Sequence, residues 1–177
     1  MITNHMYLWK IRMEVEIQNK IKIKIDSKVY EFEYIQDLVP NCKNGVLDIY
    51  NHIDSKYNDL KKNKYGEKDF CKFKIKYPKK ISGVYLWVVE SEIIYIGETE
   101  DLLSRFNTNY GHITPYNCII KGQTTNCKMN NTVLELFRKH NKIVHLYFLP
   151  TPNNKEVEAI LLANINTKYN SKNNKNT

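Results

Sequence analysis

The chain has 177 residues, with 27 Lys and Arg against 19 Asp and Glu and a formal net charge of +8. Its 42% hydrophobic and 12% aromatic content can bury a core, which excludes a disordered chain and suits one ordinary domain, or a small domain with an accessory segment. An excess of cations with both signs interleaved favours a phosphate-rich partner over an acidic small molecule, and it also describes a plain solvated basic surface. No run approaches the ~18 apolar residues of a bilayer span, and the first eleven residues lack the apolar core of a secretory signal. Four cysteines match intracellular usage and not a disulfide framework, so the cytoplasm is the expected location. Only Arg12, Arg105 and Arg138 are arginine, and the other 24 cations are lysine. In this Lys-, Asn- and Ile-rich text an arginine asks for a reason, because only a guanidinium forks onto a phosphate.

The N-terminal stretch alternates with period two through Glu14–Ile17, Lys20–Ile25 and Val29–Tyr34. It predicts an antiparallel meander with turns at Gln18-Asn19 and Asp26-Ser27. Val46, Ile49, Tyr50, Ile53, Tyr57 and Leu60 recur at helical spacing and predict a helix, followed by a polar loop over 61–68. Phe73, Ile75 and Tyr77 write another strand, whose opposite face is Lys72, Lys74 and Lys76. Such a lysine row tracks a phosphate backbone or is a solvated strand face that protects an edge. Residues 1–80 carry a net +6 and residues 81–177 a net +2, with no Pro- or Gly-rich linker between them. The organisation expected is an accessory region over 1–80, a second domain over 81–170 and a frayed tail over 171–177.

In the second half, Ser82–Val89 reads as a buried strand, Ser91 as part of a tight turn and Ile93–Gly97 as the hairpin partner. A short helix follows, with Leu102, Leu103 and Phe106 inward. After a long loop comes a helix over Thr132–His140, a strand over Ile143–Leu149 and, past Pro150 and Pro152, a helix over Lys155–Asn166. The order β-β-α-α-β-α predicts an α/β (α+β) fold, a small three-stranded antiparallel sheet flanked by helices. On the last helix Val157, Ile160, Leu161, Leu162 and Ile165 form one apolar stripe. At about 100° per residue, Glu158 falls inside that stripe and Glu156 outside it. A carboxylate there is costly unless it meets a cation or a donor.

At the hairpin the sequence resembles the GIY-YIG nuclease family. Gly83-Val84-Tyr85 stands for the first tripeptide, with Val84 for the usual isoleucine, and Tyr95-Ile96-Gly97 for the second. Further elements follow in order: Arg105 on the next helix, Glu158 on the last, and Asn170 beyond it. The resemblance covers roughly 81–170 and implies the family's domain and its hydrolysis of phosphodiester bonds in DNA.

Carried onto these positions, the resemblance implies that Glu158 holds Mg²⁺, or another hard divalent ion such as Mn²⁺, with waters. It implies that Arg105 binds the scissile phosphate, that Tyr85 positions the attacking water or takes its proton, and that Tyr95 supports it. Asn170 is expected to hold the site together. The segment from Tyr110 to Asn130 looks like the insert of the restriction-endonuclease-like branch, in which a Tyr or His after the arginine completes the site. Tyr110 and His112 are the two candidates, with Tyr110 preferred, and Lys121, Gln123 and Lys128 are candidate DNA contacts. Cys118 and Cys127 with His112 lack zinc spacing, and buried free thiols are the better account.

The function expected is a metal-dependent endonuclease acting on double-stranded DNA, most like a type II restriction enzyme, with a two-fold dimer to cut both strands. The rivals are a nuclease of the same family in repair or mobile-element transfer, and a DNA-binding protein on this scaffold without catalysis.

Overall fold

A computed structural model of the protein describes residues 11–16 and 19–170. The expected fraying of 171–177 lies outside the described residues. Contacts divide the chain into two units, the first from the described parts of 1–36, 81–100 and 145–177, the second from 37–80 and 101–144. In chain order the strands are β1 (Ile11–Glu16), β2 (Lys20–Ile25), β3 (Lys28–Leu38), β4 (Cys42–Lys43), β5 (Val46–Leu47), β6 (Ile49–Tyr50), β7 (Phe70–Cys71), β8 (Gly83–Val89), β9 (Glu92–Thr99) and β10 (Val144–Pro150). The helices are α1 (Leu102–Ser104), α2 (Thr124–His140) and α3 (Asn154–Asn164). None is long and apolar enough to cross a membrane.

The period-two text of the N-terminal stretch forms the antiparallel meander β1-β2-β3. Its alternation is realised in burial: Ile21, Ile23, Ile25, Tyr30 and Phe32 are buried, while Lys22 and Lys24 are exposed. On the solvent side Lys20 donates to Glu31 at 2.5 Å across the strand pair. The three-stranded sheet expected from the second half is half of a larger one. The full sheet has six strands in the order β1-β2-β3-β10-β8-β9. The fold is thus mixed α/β as expected, but the sheet is not limited to three strands. Periodicity gives strands one by one, and what joins β3 to β10 is pairing between segments about a hundred residues apart.

β8 and β9 are joined by Glu90 and Ser91, both with positive φ (49° and 69°), the twist a two-residue hairpin loop requires. All seven residues of β8 are buried. Its even-numbered side chains, Val84, Leu86 and Val88, join Ile96, Tyr147 and the meander's isoleucines in one apolar cluster. Leu161 of α3 enters this cluster fully buried, flanked by Val157, Ile160, Leu162 and Ile165. Tyr85 and Trp87 therefore point to the other face of the sheet.

The second unit departs from the sequence reading in three places. The helix expected from Val46 to Leu60 is absent. Asn44 and Gly45 both take positive φ (50° and 78°) and close a two-residue hairpin between β4 and β5. An Asn-Gly pair carries its flanking residues into strand pairing, so Val46 opens β5 and Tyr50, in β6, pairs with Phe70 of β7. Most of the supposed apolar stripe has no core to face: Val46 is 70% exposed, Ile53 45% and Leu60 48%. The strand expected over 73–77 has the predicted alternation, with Phe73 and Ile75 buried between exposed lysines, but lies outside any ladder. Its backbone is paired instead by Phe73 N–H to Gly111 O (3.3 Å), Ile75 N–H to Asn107 Oδ1 (2.7 Å) and Asn107 Nδ2 to Ile75 O (3.0 Å). Third, α2 begins at Thr124 and not at Thr132. Its first turns bury the polar Asn126 and Asn130 beside Cys127 and Met129, a partly polar face that no apolar periodicity announces.

Asn130 explains how that polar face is tolerated. Its side chain accepts from Cys71 N–H (2.9 Å) and donates to Cys71 O (2.7 Å) and Tyr110 O (2.6 Å), with the residue fully buried. Each unmet buried group costs about 1–3 kcal/mol. Asn130→Ala is therefore expected to lower stability by about 3 kcal/mol, read as a shift of the urea midpoint; a loss under about 0.5 kcal/mol would place it with ordinary surface changes and contradict this role.

Candidate functional site

Tyr85 and Tyr95 meet because antiparallel register brings them together. Tyr85 lies opposite Gly97 and Trp87 opposite Tyr95, so all four share one face of the sheet. The Tyr85 and Tyr95 ring centroids are 6.2 Å apart, and Tyr95 stands edge-on to Trp87 at 5.9 Å. Tyr85 is 1% exposed; Tyr95 is half-buried. Both motif glycines are explained by close approach. A Cβ on Gly97 would overlap the Tyr85 ring and hydroxyl, and one on Gly83 would overlap Leu149 O and the Phe148 ring. The Tyr85 side chain thus lies across the backbone of the facing tripeptide, which only glycine permits.

Asn170 fixes the same strand from its outer side. Ile96 N–H donates to Asn170 Oδ1 (2.9 Å) and Asn170 Nδ2 donates to Ile96 O (2.7 Å), while Tyr169 N–H bonds Ile94 O (3.1 Å). The amide holds the central residue of Tyr95-Ile96-Gly97 as a neighbouring strand would. Asn170 is therefore a positioning residue.

Glu158 sits on α3, half-buried, while Glu156 is exposed. α3 packs on the sheet face opposite Tyr85 and Tyr95, so within this unit Glu158 is not brought onto the tyrosines' face. One turn before it is Asn154, a residue sequence reasoning missed. It is 3% exposed, and its Nδ2 donates to Thr99 O (3.1 Å), Glu98 Oε2 (2.8 Å) and Glu100 Oε1 (3.2 Å). This fastens the first turn of α3 to the end of β9. An asparagine beside two prolines reads only as a helix start, which hides this role.

In the second unit Arg105 and Tyr110 are brought together by a change of helical pitch. Asp101 caps α1, its Oδ1 accepting from Ser104 N–H at 3.2 Å. From Arg105 to Tyr110 the helix then widens to i→i+5 bonding, with Gly111 N–H to Phe106 O at 2.6 Å. Residues five apart on an α-helix lie about 140° apart; the wider turn brings the fifth back beneath the first. The Arg105 guanidinium carbon lies 5.7 Å from the Tyr110 ring centroid, a cation–π placement. Tyr110 is 1% exposed and packs edge-on against Phe106 at 5.5 Å.

His112, the other candidate, is exposed and belongs to a different group of side chains. Its ring stands 6.4 Å from Tyr50, which also meets His52 at 5.4 Å. Partial burial, the Lys72 and Lys74 ammonium groups and His52 push its pKa below the usual imidazole range. Of the expected DNA contacts, Lys121 and Gln123 are exposed before α2, with Gln123 bonded to Asn126, and Lys128 is half-buried. Burial and the nearby Lys64 push the Lys128 ammonium below its ordinary pKa. Cys118 and Cys127 are buried free thiols whose Sγ atoms donate to Thr114 O (3.6 Å) and Asn117 O (3.3 Å).

Among the described residues no three of His, Cys, Asp and Glu gather as a metal-binding group. A cation at Glu158 would have it as the protein carboxylate and water or substrate oxygens for the rest. That donor set suits magnesium, which dehydrates reluctantly and takes one or two carboxylates with substrate phosphates. No family model, curated protein or solved structure matches the chain.

The packing of Tyr85 on Gly97 gives a direct test. Gly97→Ala is expected to displace the Tyr85 ring and destabilise the fold by about 1–3 kcal/mol, the range for overpacking a filled core. A thermal melt and the Tyr85 aromatic NMR resonances report both effects; unchanged resonances and an unchanged melt would contradict the close approach.

Proposed function

We propose that the protein is a metal-dependent endonuclease of the GIY-YIG kind that hydrolyses phosphodiester bonds in double-stranded DNA, most like a type II restriction enzyme. The observation that supports this reading best is the register of the two tripeptides: Tyr85 opposite Gly97, its ring across that glycine and 6.2 Å from Tyr95. A chance pair of three-residue matches has no reason to bring the tyrosine of one opposite the glycine of the other, Tyr85 on Gly97, with both glycines sterically required. In this reading β10-β8-β9 is the family's catalytic sheet and β1–β3 are added at its edge.

Arg105 would bind the scissile phosphate and the charge that grows on it, and Tyr110, beneath the guanidinium, would hold its orientation. Tyr85 would orient the attacking water. An ordinary phenol pKa near ~10 makes it a poor base at neutral pH, so orientation is the larger part of its role. Tyr95 would buttress Tyr85, and Asn170 would keep Ile96, between Tyr95 and Gly97, in place. Mg²⁺ or Mn²⁺, held by Glu158, would supply charge neutralisation at the phosphate and the departing 3′ oxygen. Because α3 and Tyr85 lie on opposite faces of the sheet, this reading asks the phosphate to bind around β9, the edge strand. Two strands to cut and one site per chain make a two-fold dimer the assembly this reading asks for.

Substitution separates the roles. Glu158→Ala is expected to lower the cleavage rate at least about 100-fold, as is EDTA in the wild type, with the fold intact by circular dichroism. Arg105→Lys is expected to lose about as much, because the ammonium cannot fork onto the phosphate. Cutting of duplex DNA by Glu158→Ala at the wild-type rate would refute the metal assignment, and near-normal cutting by Arg105→Lys would refute the phosphate assignment.

A further inference from the structure

The lysine row of 72–76 is placed by the same helix that carries Arg105. Lys72, Lys74 and Lys76 are exposed, and the side chains between them, Phe73 and Ile75, are 1% and 2% exposed. The extended backbone is docked at three points, Lys72 O to Asn41 N–H, Phe73 to Gly111 and Ile75 to both ends of the Asn107 amide. Asn107 lies in the wide-pitched turn that begins at Arg105, and Gly111 ends it. Alternate residues of an extended segment are about 6.7 Å apart, close to the separation of successive phosphates along one nucleic-acid strand. Edge protection does not account for the row, because this segment belongs to no sheet and has no ladder edge to guard. The first cation is oriented as well: Lys72 Nζ lies 5.7 Å from the Tyr50 ring centroid, and Tyr50 also meets His112.

We propose that Lys72, Lys74 and Lys76 form a phosphate-tracking strip that binds the DNA backbone, with the exposed His112 beside it as a further hydrogen-bonding group. The proposal rests on the reading of the protein as one that acts on DNA, and deepens it by naming how the backbone is held. The lysines bring charge without base readout, so the strip sets affinity and register and leaves sequence choice to other residues. His112, kept below its usual pKa by burial and by Lys72, would serve as a neutral partner of a phosphate oxygen.

The test is the salt dependence of binding. The full-length protein is titrated against a fluorescent duplex oligonucleotide in EDTA over a range of KCl concentrations. The expected result for Lys72→Ala/Lys74→Ala/Lys76→Ala is a log K against log[KCl] slope shallower by about 2.7, from about 0.9 per phosphate contact. The triple Lys→Arg variant is expected to keep the wild-type slope, which shows that charge and not folding is lost. Lys24→Ala/Lys28→Ala, two exposed lysines of the first unit, is expected to leave it unchanged. A wild-type slope in the triple Ala variant overturns the strip, as does an equal loss per lysine in the control, or a wild type that does not bind the duplex. Cleavage by the wild type in Mg²⁺ is scored separately. Binding with the predicted slope change but no cutting supports the strip and overturns the nuclease reading; cutting with an unchanged slope overturns the strip alone.

Discussion

A primary amide that pairs with both the N–H and the C=O of one residue replaces a neighbouring strand, and three asparagines use it in this way. Asn107 holds Ile75, Asn130 holds Cys71, and Asn170 holds Ile96. Each residue so held sits beside a candidate site element. Asn107 lies in the turn that starts at Arg105, Asn130 also takes the carbonyl of Tyr110, and Ile96 separates Tyr95 from Gly97. An aspartate would keep the acceptor and lose the donor, and an alanine would leave both peptide groups unmet. The abundance of asparagine therefore has a structural use beyond its effect on composition.

This constraint also separates what the sequence discloses from what it hides. Alternation over 20–34 is a backbone period that shows directly in side chains, and the apolar runs on either side of Ser91 mark a buried strand and its partner, so the meander and the hairpin were legible, as was the last helix with Glu158 half-buried and Glu156 exposed. The two tripeptides were legible as text, and the packing of Tyr85 on Gly97 and of β10 on Gly83 adds the reason for the glycines. Where a segment is held by a side-chain amide, no period announces the partner. The extended run at 73–77 read as a strand for that reason, and the first turns of α2, which bury Asn126 and Asn130 beside Cys127 and Met129, read as loop. The supposed helix over 46–60 failed for a different reason. The spacing of Val46, Ile49, Ile53 and Leu60 matched a helix, but Asn44-Gly45 had already committed the chain to a hairpin.

The candidate site was legible in residue types and only partly in placement. Tyr85 with Tyr95, and Arg105 with Tyr110, are each paired within their own unit, the second through a pitch change that spacing alone would have read as two faces of an α-helix. Asn154, which fastens α3 to the end of β9, left no signal in the text. The net charge was the least specific observation of all. Its useful content lies in where a few cations stand: three lysines on one docked segment and one arginine above a buried tyrosine.

The proposed hydrolysis of duplex DNA is tested by the fate of supercoiled plasmid incubated with the wild-type protein and Mg²⁺. A restriction-type endonuclease converts it to discrete linear fragments whose ends are the same in every digest. Plasmid that stays supercoiled across a wide range of protein concentrations and plasmid sequences would contradict the proposal.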